Sequence, residues 1–210
     1  MDEYLSEQEQ WDMVKKWLRE NIVWLLAGVL IAVAGLYGWR AYQAHVEAEL
    51  LAAGKVYDQL TAAYDKRDQA EVVKLAAQLQ AEHGGNGYAD HAQLALARMQ
   101  MENGQQSNAV ETLQKLLAAT KDRELALSAR LRVARIQLDQ NKADDALATL
   151  QGAGDAGAYA PRYAEVRGDA LLAKSDRSGA LKAYQEALAA NSPAVDTELL
   201  KLKIAELSHS

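Results

Sequence analysis

Residues Leu131 to Ala146, LRVARIQLDQNKADDA, read as the end of one helix, a turn at Asn141-Lys142 and the start of a second helix. Two further stretches follow the same plan: Leu94 to Ala109, LALARMQMENGQQSNA, and Glu165 to Ala180, EVRGDALLAKSDRSGA. In each, a small residue (Ala97, Ala134, Gly168) is followed twelve positions later by an alanine (Ala109, Ala146, Ala180). Four residues beyond that alanine stands a bulky side chain: Leu113, Leu150 or Tyr184. The offsets between copies are 37 and 34 residues. Small residues at this spacing allow two helices to cross closely, and the bulky residue fills the space beside the crossing. Asn103-Gly104, Asn141-Lys142 and Ser175-Asp176 supply the turn chemistry between them.

A period near 34 built from helical hairpins resembles the tetratricopeptide repeat. The large aromatic that usually stands early in its first helix is absent here. No hairpin of this kind buries its apolar face alone, so stacked neighbours must supply the core. The chain is rich in alanine and leucine, has two prolines and no phenylalanine, and shows no strand-like alternation. The fold class is therefore all-α: a single N-terminal transmembrane helix followed by a tetratricopeptide-like solenoid of helical hairpins.

Outward from the repeats, residues 45–83 keep the hairpin without its signature. Val46, Leu50, Ala53, Tyr57, Leu60 and Tyr64 form an apolar stripe at 4-3-4-3-4 spacing, predicted to pack on a helix from Gln69 to His83. Gly84-Gly85-Asn86-Gly87 then connects two repeat units. At the other end, Ser192-Pro193 is expected to start a last helix with proline in its first turn. Leu200, Ile204 and Leu207 of that helix would close the open face of the solenoid.

Asn21 to Trp39 are nineteen uncharged, mostly apolar positions between Glu20 and Arg40. At 1.5 Å per residue this length just spans a hydrocarbon core of ~30 Å. A cleaved signal peptide has a shorter apolar region ending in a small-x-small site. Here Gly38-Trp39-Arg40-Ala41-Tyr42 follows instead, and Trp24, Tyr37, Trp39 and Tyr42 mark the two interfaces. The domains read as a head (1–20), a transmembrane helix (21–42) and a repeat domain (43–210). Lys15, Lys16 and Arg19 against Arg40 place the head in the cytoplasm and the repeat domain across the membrane. The absence of cysteine suits an oxidising compartment without requiring one.

The head is expected to form a small amphipathic helix of its own, with Ser6 and Glu9 at capping-box spacing. Trp11, Val14, Trp17 and Leu18 share a face, with Lys15 and Lys16 beside it. It serves either as a docking surface for a cytoplasmic partner or as a segment lying among lipid headgroups. Within the span, Gly28, Ala32 and Gly35 form a smooth face suited to close approach by another membrane helix. The plainer use of the span is as a simple anchor.

Catalytic patterns are missing from the sequence. His45, His83, His91 and His209 lack helical metal-ligand spacing, even with Asp90 near the His83–His91 pair. The glycine cluster lacks the Lys-Ser/Thr ending of a phosphate loop, and neither a Gly-x-Ser-x-Gly elbow nor a thiol is present. Neither enzyme activity nor a cofactor or metal is expected. Residues 41–210 carry 19 basic and 23 acidic residues without a basic block, which argues against nucleic acid. Arg98 and Arg135 hold equivalent positions in successive first helices. They are candidates for contacting an acidic segment on the concave face, or for ion pairs within the array. Asp169 in the third copy breaks any ladder.

Taken along its length, the chain carries an acidic start, Val14-Lys15-Lys16, and a span ending Gly38-Trp39-Arg40. LRVARIQ (131–137), ADDAL (143–147), VRGDALLAKSD (166–176) and Leu202-Lys203-Ile204 follow. In order, spacing and length it resembles the ancillary SecYEG translocon subunit family of Gram-negative bacteria. The resemblance implies a single-pass inner-membrane protein with a periplasmic repeat domain and no enzymatic activity. It implies association with the Sec translocon (SecYEG) and with a membrane-anchored periplasmic prolyl-isomerase-type chaperone, and a task of passing translocated client chains toward periplasmic chaperones. No residue-level site is carried over. A membrane-tethered regulator, binding a cytoplasmic signalling protein through its head, is the alternative.

Overall fold

A computed structural model describes residues 7–208, so Ser6 of the expected capping box and the histidine at 209 lie outside the described residues. Every regular element among them is helical: α1 (Glu7–Asp65), α2 (Gln69–His83), α3 (Gly87–Glu102), α4 (Gln106–Ala119), α5 (Arg123–Asp139), α6 (Ala143–Gln151), α7 (Ala160–Ala173), α8 (Arg177–Ala189) and α9 (Thr197–Ser208), with one 3₁₀ turn at Gly157–Tyr159. The chain divides into two units, Met1–Leu51 and Ala52–Ser210.

The first unit consists of the earlier part of α1. From Glu7 the head is continuous with the rest of α1, because residues 7–40 hold neither a proline nor a capping turn that would separate them. The most apolar 18-residue window of this helix has a mean hydropathy of 2.1, and none of it is buried. Val23, Trp24, Leu30 and Ile31 are each about 70% or more exposed. Each such side chain left in water forgoes ~1.5–3 kcal/mol of burial, so this stretch has the length and apolar character of a helix that crosses a membrane.

The second unit is a stack of four helical hairpins and a capping helix. Residues from Ala52 to the end of α1 pair with α2, α3 with α4, α5 with α6 and α7 with α8; α9 packs on α8. Of the predicted stripe on α1, Ala53 and Leu60 are buried and Tyr57 and Tyr64 partly so. Val46 and Leu50, which fall in the first unit, are exposed.

All four hairpins turn by one device. Arg67, Gly104, Asn141 and Ser175 have φ of 57°, 73°, 59° and 66°, in the left-handed region. At each turn the next residue's N–H donates to a carbonyl five residues back: Asp68 to Ala63, Gln105 to Gln100, Lys142 to Gln137 and Asp176 to Leu171, at 2.7–3.0 Å. This is the Schellman closure, which satisfies carbonyls that a helix end leaves open. Asp68, Asn86, Asp122 and Asp176 then cap the following helices by accepting a backbone N–H three residues on.

The core follows the repeat. Ala97 and Leu113 share one buried cluster, Ala134 and Leu150 the next, and Gly168 lies against the ring of Tyr184. In the first hairpin the same two positions are held by Leu60 and Ala76, both buried, with the large and small partners exchanged. Two middle hairpins add a polar rung: Thr112 Oγ1 donates to Gln100 at 2.9 Å and Thr149 Oγ1 to Gln137 at 2.8 Å. The outer hairpins have Ala63 with Leu75 and Leu171 with Ala183 at those positions.

The last helix starts later than Ser192-Pro193 suggests. Residues 192–196 form a turn that buries Val195, and Asp196 caps α9 by accepting from Glu198 and Leu199 N–H at 3.0 and 3.1 Å. Asp at the cap supplies an acceptor that proline cannot. Leu200, Ile204 and Leu207 pack on Tyr184 and Ala187 as expected.

Candidate interaction surface

In the first unit, Gly28, Ala32 and Gly35 lie exposed on one face of α1, and nothing stands within 4 Å of a Cβ built on either glycine. Trp11 and Trp17 are 65% and 56% exposed. Lys15 pairs with Asp12 at 3.4 Å across one turn, an exposed contact of little energetic weight, and Lys16 is exposed. Asn21 Nδ2 donates to the Trp17 carbonyl at 2.8 Å, so this amide at the start of the apolar stretch has its hydrogen bond within the helix.

In the second unit, the first helices of successive hairpins line a groove of about 670 Å³ bounded by Tyr57, Tyr64, His91, Leu94, Arg98 and Arg132 among others. Arg98 Nε donates to Glu102 at 3.0 Å, and Tyr64 Oη donates to the same carboxylate oxygen at 2.9 Å. Those two hydrogen bonds hold the Glu102 carboxyl below its usual range, while burial and the bond to Glu102 push the Tyr64 phenol up. Arg135 is exposed, but the groove's cationic partner to Arg98 is Arg132, one turn earlier on α5. Repeat equivalence selected Arg135 from the sequence. The groove instead takes Arg132 from α5, 34 residues after Arg98, where the 37-residue offset of the signature points to Arg135.

The third copy departs further. Asp169 accepts from Tyr184 Oη at 2.8 Å and from Lys203 Nζ at 2.6 Å, and Lys203 also reaches Glu165 at 3.8 Å and lies 5.2 Å from the Tyr184 ring centre. This position, which carries an arginine in the two preceding copies, is therefore tied to the capping helix. Arg162 Nε donating to the Ala194 carbonyl at 2.7 Å fixes the turn before that helix. Among the described residues, no group of three or more His, Asp or Glu side chains is arranged to hold a metal ion.

Residues 15–209 match a family model described as a tetratricopeptide repeat-like domain. The ancillary SecYEG translocon subunit of Escherichia coli is 32% identical over 208 residues, covering 99% of this chain and 100% of that one. The Haemophilus influenzae protein of the same name is 27% identical over 204 residues, covering 97% and 98%. Among solved structures, the tetratricopeptide-like repeats of a Podosopora anserina kinesin light chain superpose with a TM-score of 0.55 at 18% identity, covering 74% of this chain and 84% of that one. At that identity the likeness speaks for the fold. With relatives matched over nearly their full length and a helical-hairpin array as its core, the chain belongs to the ancillary SecYEG translocon subunit family.

Proposed function

We propose that this chain is a non-enzymatic, single-pass inner-membrane accessory subunit of the Sec translocon, whose repeat domain lies in the periplasm and binds proteins. Its task is to help pass translocated chains to periplasmic chaperones, with a membrane-anchored prolyl-isomerase-type chaperone as a partner. The observation that carries this reading is the near-full-length identity to proteins named as ancillary SecYEG translocon subunits. One exposed apolar helix and an array of hairpins fit that role. Lys15, Lys16 and Arg19 against Arg40 favour a cytoplasmic head. Gly28, Ala32 and Gly35 would seat a neighbouring membrane helix, where small residues permit backbone contact. Arg98, on the groove of the repeat domain, would offer charge to a bound segment.

The exposure of Trp11 and Trp17 supports a second reading, in which the head docks a cytoplasmic regulator together with Lys15 and Lys16. The experiment is affinity purification of the full chain in mild detergent, beside a variant with Trp11, Lys15, Lys16 and Trp17 changed to alanine. Recovery of translocon and periplasmic chaperone with both proteins supports the accessory-subunit reading. Recovery of a cytoplasmic protein by the parent chain alone, without translocon, overturns it in favour of the regulator.

A further inference from the structure

The groove on α1, α3 and α5 is apolar and aromatic along its floor and cationic at its edges. Tyr57, Tyr64 and Leu94 supply the first, and Arg98 and Arg132 the second. No carboxylate lines it among the described residues. Glu102, at its margin, binds Arg98 only through Nε, and this bond orients the guanidinium while leaving both terminal nitrogens for a ligand. Arg132 is exposed and has no hydrogen-bond or ion-pair partner among the described residues. A planar guanidinium held in this way binds a carboxylate through two parallel N–H groups, with shorter and stronger bonds than a neutral pair makes. A groove of this size takes a few residues of extended chain.

We infer that this groove binds an extended polypeptide segment in which acidic side chains accompany apolar or aromatic ones: the carboxylates meet Arg98 and Arg132, and the apolar side chains lie on Tyr57, Tyr64 and Leu94. The inference rests on the protein-binding reading above and gives it a ligand chemistry. Charge complementarity selects this occupant over a basic or a purely apolar segment, because a bare apolar segment would desolvate the Arg132 guanidinium and the terminal nitrogens of Arg98 without giving them a partner.

The test uses the full chain in lipid nanodiscs and three fluorescein-labelled decapeptides. One alternates glutamate with leucine and tyrosine, one has glutamine in place of glutamate, and one has lysine; empty nanodiscs supply the background. Fluorescence anisotropy should give the glutamate peptide at least a tenfold tighter affinity than the glutamine peptide. The pair Arg98→Gln and Arg132→Gln should remove that preference, Arg132→Glu should favour the lysine peptide, and Arg135→Gln should change nothing beyond twofold. Equal binding of the glutamate and glutamine peptides overturns the inference, as does an equal loss on Arg135→Gln. Translocon recovered by the chain alongside equal peptide binding means that this inference alone fails. Absence of both means that the proposed function fails with it.

Discussion

At the scale of single residues, Gly168 lies close against the ring of Tyr184. A Cβ at Gly168 would come within 2.4 Å of the Tyr184 ring, so Gly168→Ala should destabilise the repeat domain despite alanine's better helix propensity. Overpacking of this sort costs ~1–3 kcal/mol. Adding Tyr184→Leu recreates the alanine–leucine pairing of the two preceding hairpins and should recover most of the loss. Urea denaturation of the two single variants and the double checks this, with a coupling above about 1 kcal/mol expected. Tyrosine ionisation offers an independent view of the same core. Burial raises the Tyr163 phenol to about 12, and burial with the Asp169 hydrogen bond raises that of Tyr184 further. Because the folded state favours the neutral phenol, the stability each contributes is complete below pH 10 and is lost as pH rises through the folded value. Absorbance at 295 nm should show a late-titrating fraction that shrinks in Tyr163→Phe and again in Tyr184→Phe. The small-bulky spacing that places Gly168 and Tyr184 was legible in the sequence. The Gln100–Thr112 and Gln137–Thr149 rungs were not, because a buried glutamine betrays its burial only once its partner on the facing helix is known.

Whole elements depend on the four left-handed turn residues and on the capping helix. Only Gly104 among the four turn residues is a glycine; for an ordinary side chain that conformation costs roughly 1–2 kcal/mol. Arg67→Gly and Ser175→Gly should each stabilise the array by about 1 kcal/mol, and Gly104→Val should destabilise it by more, as read from denaturation midpoints. Helix α9 is held by Lys203 against Asp169 and Glu165, of which Glu165 is the least exposed. Lys203→Ala leaves two neighbouring carboxylates without their cation, and removing one partner of a partly buried group of charges is costly. Hydrogen–deuterium exchange should show faster exchange through α9 and the end of α8, with α2 to α4 unchanged. The late start of α9 was hidden from the sequence because Pro193 and Asp196 both carry start signals, and the burial of Val195 decides between them.

For the molecule as a whole, the apolar length of α1 is the feature on which membrane attachment turns. Leu26→Arg with Leu30→Arg places two charges in the window, each costing ~2.5–3.5 kcal/mol at a bilayer centre. The parent chain should stay with the membrane pellet after alkaline carbonate extraction, and the double variant should appear in the supernatant. The exchanged packing of the first hairpin bears on how such an array can change over generations. A hairpin built on Leu60 with Ala76 and one built on a small residue with leucine are two solutions of similar volume. Passing between them one substitution at a time leads through either a void or a clash, at ~2–5 or ~1–3 kcal/mol, in a domain whose whole margin is ~5–15 kcal/mol. Drift therefore preserves whichever arrangement a hairpin first took. The inversion conceals the first hairpin from any comparison of the chain with itself.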